Sequence, residues 1–354
     1  MRIEKLTESI VSAGLDAYVI TESPNIFYYT GSISGGNLIV SPDSVPLLLA
    51  PRLNLAYAMD QSKGCEVCPY TKEDMLDQIV KKLGEFNPKR IGFDDLTLKL
   101  YHDLGERLES VELKAEPDLV KNMRMVKDPS ERKLMRRAGV LADMGMDAVK
   151  NCLRGGVREN EVAAEAEYIM RKEGADDIAF PFIVASGPRS AYPHGGVTER
   201  KIRRGEFVTI DMGASYKEYK TDLTRTFIVG TPSKKQRLIY ETVLEANLTA
   251  HDKIRDSVVG ADVHNAAMEV IEKAGYGEYF IHGLGHGIGL EVHEGPSLDK
   301  TSKDILSANN VVTNEPGIYI HGYGGVRIED TVLVTRSDPE RLTKTPKDLD
   351  VMQV

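Results

Sequence analysis

Four carboxylates and one imidazole, each set beside an apolar or glycine-rich run, constrain this chain more than any other feature. Asp211 ends the apolar run 207–210 and precedes Met212-Gly213. Asp222 opens Thr221-Asp222-Leu223-Thr224-Arg225-Thr226-Phe227. His286 lies inside Gly283-Leu284-Gly285-His286-Gly287-Ile288-Gly289. Glu315 lies in Thr313-Asn314-Glu315-Pro316-Gly317, and Glu329 in Val326-Arg327-Ile328-Glu329-Asp330-Thr331. Each context can aim its side chain at a common point. Oxygen-rich sites with one imidazole suit divalent Mn, Co, Fe or Zn, and four carboxylates are enough to bridge two ions. Two such ions about 3.5–4 Å apart hold a bridging hydroxide and polarise a carbonyl, which is hydrolytic chemistry. The four carboxylates carry four negative charges, which two divalent cations neutralise. Without metal they repel one another, so some are expected to have raised pKa values.

With 354 residues, two domains are expected. In the first segment, residues 3–13 have helical spacing and stop at Gly14, while 17–20, 38–40, 46–49 and 90–93 read as strands. Residues 73–86 read as an amphipathic helix, so this part is a small α/β domain. The boundary falls near 126–128, giving domains of 1–124 and 125–354. Asp128-Pro129-Ser130-Glu131 is a helix start, with Asp as N-cap, Pro at the first position and Glu closing a capping box. Helices follow to about Leu153 and over 159–173, 234–255 and 262–274. Between them, two strand pairs each carry two carboxylates, separated by similar spacings, 211 to 222 and 315 to 329. Glycines at 283, 285, 287 and 289 disfavour a helix around His286, so His282 and His286 do not form a helical metal-binding pair.

An apolar content of 41% and a charged content of 28% are those of a soluble globular protein. The net charge of −9, with no Lys or Arg block, argues against a nucleic-acid partner. No secretory signal and no membrane-length apolar run are visible. Three cysteines make no disulfide framework, and the Cys65/Cys68 pair lacks the partners of a zinc site, so a reducing, cytoplasmic setting is expected.

The segments SGPRSAYPHG, TIDMGA, TDLTRTF, GLGHGIGLEVHE, NEPGIYI and GGVRIED resemble the signature of the pita-bread metallopeptidases, over roughly residues 125–354. That family includes prolidase, aminopeptidase P, methionine aminopeptidase and creatinase. The resemblance implies an α/β N-terminal domain of the creatinase/prolidase type, followed by an α+β pita-bread catalytic domain with pseudo-twofold symmetry. It implies Asp211, Asp222, His286, Glu315 and Glu329 as ligands of two divalent metals, Mn or Co first and Fe or Zn next. Asp222 and Glu329 would bridge the ions, and Glu315 would double as proton shuttle. His194 and His293 match the family's two non-ligand histidines, which hydrogen-bond substrate and tetrahedral intermediate. His282 is assigned to the lining of the substrate site. Arg327 is expected on the same strand face as Glu329, orienting a ligand carboxylate or binding substrate, with Thr224 in a similar orienting role. Many prolidases and aminopeptidases P continue the His-Glu motif with an Arg where this chain has Ser297, so capture of a free carboxylate falls to Arg327 or to the N-terminal domain.

The implied activity is hydrolysis of the Xaa-Pro bond in dipeptides or at the start of short peptides, with aminopeptidase P action on longer Xaa-Pro-Yaa peptides as the alternative. Methionine aminopeptidases lack the N-terminal domain. Creatinase-like enzymes typically lack this ligand set, and a non-catalytic peptide-binding member of the fold should also have lost ligands. The expected partners are short proline-containing peptides and a second copy of the chain, with the N-terminal domain capping the active site. Phe27, Tyr28 and Tyr29 are candidates for that contact and, equally, for core packing.

Overall fold

The structure, a computed structural model, describes residues 2–354. The chain divides into two units, Met1–Arg124 and Met125–Val354.

In the first unit, α1 (Arg2–Ser12) leads into β1 (Ala17–Ile20), then α2 (Ser23–Thr30), β2 (Asn37–Val40), β3 (Leu47–Pro51) and α3 (Leu55–Gln61). There follow β4 (Glu66–Tyr70), α4 (Met75–Gly84), β5 (Arg90–Phe93), α5 (Leu98–Arg107), β6 (Glu112–Ala115) and α6 (Asp118–Met125). The six strands form one mixed sheet in the order β4-β3-β2-β1-β5-β6. Its central strand β1 is buried throughout, and Val19, Ile39 and Leu49 pack with Ile79 and Leu83 of α4 and Leu104 of α5. Of the two alternatives for Tyr28 and Tyr29, surface contact or core packing, both side chains take the packed one. Both are 6% exposed, Tyr28 donates its hydroxyl to the Met123 carbonyl, and Tyr29 reaches the Met123 sulfur. They sit on α2, which has Pro24 in its first turn and ends on Gly31 at φ 78°, a left-handed cap favouring glycine.

The second unit begins with α7 (Pro129–Cys152), whose capping box is present: Asp128 Oδ1 accepts from Ser130 N and Glu131 N, and Glu131 Oε2 accepts from Asp128 N. After α8 (Glu159–Lys172) come β7 (Asp177–Ile178), β8 (Ile183–Ser186), β9 (Phe207–Met212), β10 (Ala214–Tyr216), β11 (Tyr219–Lys220) and β12 (Leu223–Ile228). The pattern then repeats: α9 (Lys234–Lys253) and α10 (Gly260–Lys273), followed by β13 (Gly285–Gly287), β14 (Glu294–Leu298), β15 (Val311–Asn314), β16 (Gly317–Ile320), β17 (Gly324–Arg327) and β18 (Asp330–Leu333). In the first half β8, β9 and β12 form an antiparallel sheet; in the second, β14-β13-β15-β18 run side by side, also antiparallel. One apolar core joins both halves, from Leu141 and Met146 on α7 to Val243 on α9, Val312 on β15 and Val332 on β18. No helix among the described residues is long and apolar enough to cross a membrane.

Candidate metal centre

Each half delivers two carboxylates at matching places. Asp211 is the penultimate residue of β9 and lies opposite Thr224 of β12, while Asp222 immediately precedes β12. Glu315 immediately follows β15 and Glu329 immediately precedes β18, flanking the paired residues Asn314 and Asp330. The halves are stitched together at these points. Asp222 N donates to Thr331 Oγ1, which donates back to the Asp222 carbonyl, and Glu329 N donates to the Thr224 carbonyl.

His286 lies on β13 between two strands, with no helix around it. The alternate glycines explain the geometry: a Cβ on Gly285 would fall 2.2 Å from the Thr313 carbonyl oxygen, and one on Gly287 1.9 Å from that of Gly295. Only glycine lets the neighbouring backbones approach this closely. The His286 tautomer is settled by its surroundings. Nδ1 lies 3.0 Å from the Gly287 carbonyl, which only accepts, so Nδ1 carries a proton and Nε2 is the nitrogen turned to the acids, donating to Glu315 in the imidazolium and offering its lone pair once that second proton is lost. Nε2 points at Glu315 Oε1, 3.3 Å away, and Asp222 Oδ2, 3.8 Å away.

Asp211, Asp222 and Glu329 are all buried, and each keeps one oxygen (Oδ1, Oδ1 and Oε1) buried without a hydrogen-bond partner. Such orphans are costly in a folded protein unless a ligand takes them up. Asp222, His286 and Glu329 each offer a ligand atom, all within 4.8 Å of one another. The other oxygens are held: Asp211 Oδ2 by Arg327 Nη2 at 2.6 Å, Glu329 Oε2 by Thr224 Oγ1 at 2.6 Å, and Glu315 Oε1 by Thr313 Oγ1 at 3.1 Å. The donor set therefore fits hard or borderline divalent cations.

Charge crowding shows in the ionisation. Burial, then the Glu329 and Asp211 charges, hold Asp222 well above the usual carboxylate range. Burial, then the Glu315 and Asp211 charges, do the same to Glu329. For Glu315, burial pushes upward, but the hydrogen bond and charge of His286 outweigh it and bring the carboxyl down to about 2. In His286, burial pulls downward and its Glu315 partner wins, raising it.

Arg327 departs from expectation in two ways. β17 ends at Arg327, so Glu329 is not on the same strand; it lies in the short crossing to β18. The guanidinium is buried and engaged on every nitrogen, by Asp211, by Tyr319 at 2.8 Å and the Pro193 carbonyl at 3.3 Å, and through Nε by Thr224 at 3.1 Å. It braces Asp211 directly and Glu329 through Thr224, and has no free fork with which to capture a substrate carboxylate. His282 lines the cavity, yet both its ring nitrogens are taken. Nδ1 lies 2.6 Å from the Gly283 carbonyl, so Nε2 accepts from the Tyr319 hydroxyl at 2.9 Å. His282 is thus a wall residue with both ring nitrogens engaged within the protein. His194 and His293 are exposed into the cavity, and the His293 ring lies 4.3 Å from that of His286.

Sequence reasoning missed the anchors of these two histidines. Buried Glu159 accepts from Ser186 N at 2.9 Å and Thr198 Oγ1 at 2.6 Å and pairs with Arg189, whose other nitrogen holds the Gly195 carbonyl beside His194. Lys127 and Glu294 form a buried ion pair at 2.6 Å next to His293. It also missed Tyr319, whose alternation along β16 gives no hint of chemistry. His321 is exposed and outside the cavity lining. The cavity, about 1120 Å³, is lined by the acidic Asp211, Asp222 and Glu315 together with the apolar Ile178, Phe180, Phe182 and Val197, and also by Ser297 and Asp299.

An N-terminal α/β unit followed by two related helix–strand halves around an acidic cavity is the pita-bread class of protein. The sequence model of metallopeptidase family M24 matches residues 133–336, and that of the creatinase/prolidase N-terminal domain matches residues 2–126. The chain belongs to metallopeptidase family M24. It is 39% identical over 351 residues to the Xaa-Pro dipeptidase of Pyrococcus furiosus, covering 98% of this chain and 99% of that one. The Xaa-Pro dipeptidase structure from Bacillus anthracis superposes with a TM-score of 0.95 at 38% identity, covering 100% of this chain and 99% of the other. The X-Pro aminopeptidase from Thermotoga maritima gives 0.92 at 35%, again covering 100% and 99%.

Proposed function

We propose that this protein is a dinuclear Xaa-Pro dipeptidase, with Asp211, Asp222, His286, Glu315 and Glu329 as ligands and Asp222 and Glu329 bridging. The observation that carries the reading is the trio of buried, unpartnered oxygens on Asp211, Asp222 and Glu329, with Glu329 beside Asp222 and His286, and with Asp211, Asp222 and His286 lining a peptide-sized cavity. Two divalent ions, Mn or Co by preference, supply there an activated water and polarisation of the scissile carbonyl. Arg327 and Thr224 fix which oxygens of Asp211 and Glu329 stay free. Glu315 takes a proton from the attacking water and passes it to the departing prolyl nitrogen. His194 and His293 donate hydrogen bonds to the substrate backbone and to the developing oxyanion. The prolyl amide has no N–H and a fixed φ, so peptidases that dock extended backbone lose a contact there. The apolar part of the cavity lining suits a bond recognised by shape instead.

A second reading, aminopeptidase action on Xaa-Pro-Yaa peptides, is favoured by one observation. Where a cation would meet a dipeptide's carboxylate, Ser297 instead donates to Asp299, which its Thr301 and Ser297 hydrogen bonds hold down at about 2. Hydrolysis of Xaa-Pro, Xaa-Pro-Yaa and Met-Ala-Yaa peptides by the metal-reconstituted protein separates these. Cleavage of Xaa-Pro at least as fast as Xaa-Pro-Yaa supports the dipeptidase; cleavage of Met-Ala-Yaa alone overturns both. The three cysteines are free, which suits the reducing, cytoplasmic setting we assign. A homodimer completes the proposal.

A further inference from the structure

Asn247 lies on α9, wholly buried and outside the cavity lining. Its side-chain amide donates to two carbonyls, Asn314 O and Ile328 O, each at 3.0 Å. These are the residues immediately before Glu315 and Glu329. Asn314 returns a bond, from its own amide to the Asn247 carbonyl at 2.9 Å. The orientation of the Asn247 amide is not arbitrary. Lys347 Nζ lies 2.5 Å from Oδ1, and an ammonium only donates, so Oδ1 must face Lys347 and the NH2 must face the carbonyls. Lys347 also donates to Asp330 Oδ2 at 2.8 Å, and Asp330 Oδ1 accepts from Arg225 Nη2 at 2.7 Å. Arg225 in turn donates to the Glu329 carbonyl at 2.5 Å. One buried network therefore grips the main chain before Glu315 and on both sides of Glu329.

We propose that Asn247, held in place by Lys347, is a positioning residue that sets the separation of Glu315 and Glu329 and so tunes metal affinity without touching metal or substrate. The inference rests on the reading above that these two glutamates are ligands. The test uses the full chain stripped of metal and titrated with Co(II), followed by visible absorption. Asn247→Leu is expected to weaken cobalt binding by about tenfold or more, the scale seen when support to a ligand is removed, and to alter the visible bands. Lys347→Met is expected to weaken it in the same direction. Thr242→Val, on the same helix but bonded only to Leu238 O, should bind as wild type. A general loosening of the fold would lower the melting temperature and leave the isotherm alone. A wild-type isotherm and spectrum for Asn247→Leu overturns the proposal; should that variant not fold, a wild-type isotherm for Lys347→Met does so. Glu329→Gln separates the two readings. If it too binds cobalt as wild type, the ligand assignment has failed; if it alone loses cobalt, only the positioning role has.

Discussion

Asp222 and Glu329 each keep one bare, buried oxygen near His286 while backbone and threonine contacts hold the rest of the residue still. Asp222→Asn and Glu329→Gln should therefore leave a folded protein with under about a tenth of wild-type turnover, a barrier rise of more than about 1.4 kcal/mol. Circular dichroism and steady-state rates together check this, and turnover above that level would remove the bridging assignment. His194 and His293 reach the cavity from loops anchored elsewhere, so His194→Ala and His293→Ala should keep their metal and lose about 10²-fold in rate, the scale of one lost oxyanion donor. Metal analysis beside kinetics decides, since metal loss would make that histidine a ligand. The five proposed ligands stood out in the sequence because each sits in a distinctive local context. The partners were not. Nothing local to Arg327 says that its guanidinium meets Asp211, 116 residues earlier, and nothing local to His282 says that Tyr319, 37 residues later, engages its Nε2.

The strand β13 is shaped by what it lacks. Its alternate glycines face neighbouring backbones at distances no side chain tolerates, which is why the run reads as neither helix nor ordinary strand. Gly287→Ala places a methyl on the Gly295 carbonyl. It should destabilise by at least about 1–3 kcal/mol, the cost of forcing extra volume into a packed site. A lowered urea midpoint with unchanged slope checks it, and an unchanged midpoint would mean the strands separate freely. Helix boundaries with strong chemical signals were legible to within a few residues, as at Asp128-Pro129. Helix α2 passed unnoticed although Pro24 and Gly31 mark its ends, because Phe27-Tyr28-Tyr29 is apolar without period and resembles surface or core equally well. The break between β17 and β18 was also hidden: the chain leaves one pairing for another at Ile328-Glu329, a decision made by Pro316 and Thr224 across the sheet.

Over the whole molecule, the crowded acids couple stability to pH. An acid whose folded pKa is raised holds its proton longer than the unfolded chain does, so its contribution fades as pH rises above the unfolded value of about 4. Asp222 and Glu329 behave this way, and His286, raised above 6.5, loses its contribution as pH climbs through its folded pKa. Glu315 runs the other way, but its stabilisation is already complete above about pH 5. Metal replaces the protons. The gap in melting temperature between metal-loaded and chelated protein should thus widen from pH 5 to pH 8; a constant or shrinking gap would contradict the assignment. On the same scale, the full chain should sediment as a dimer, and one starting near Lys127 as a monomer less selective for short peptides. A monomeric full chain with unaltered length selectivity after truncation rules this out. The two-half design also dictates an order of events during synthesis. A ribosome that has delivered Asp211 and Asp222 has made only half a binding site. Because one apolar core spans both halves, the first pair of carboxylates meets the second only once the later strands have been made and packed against the earlier ones.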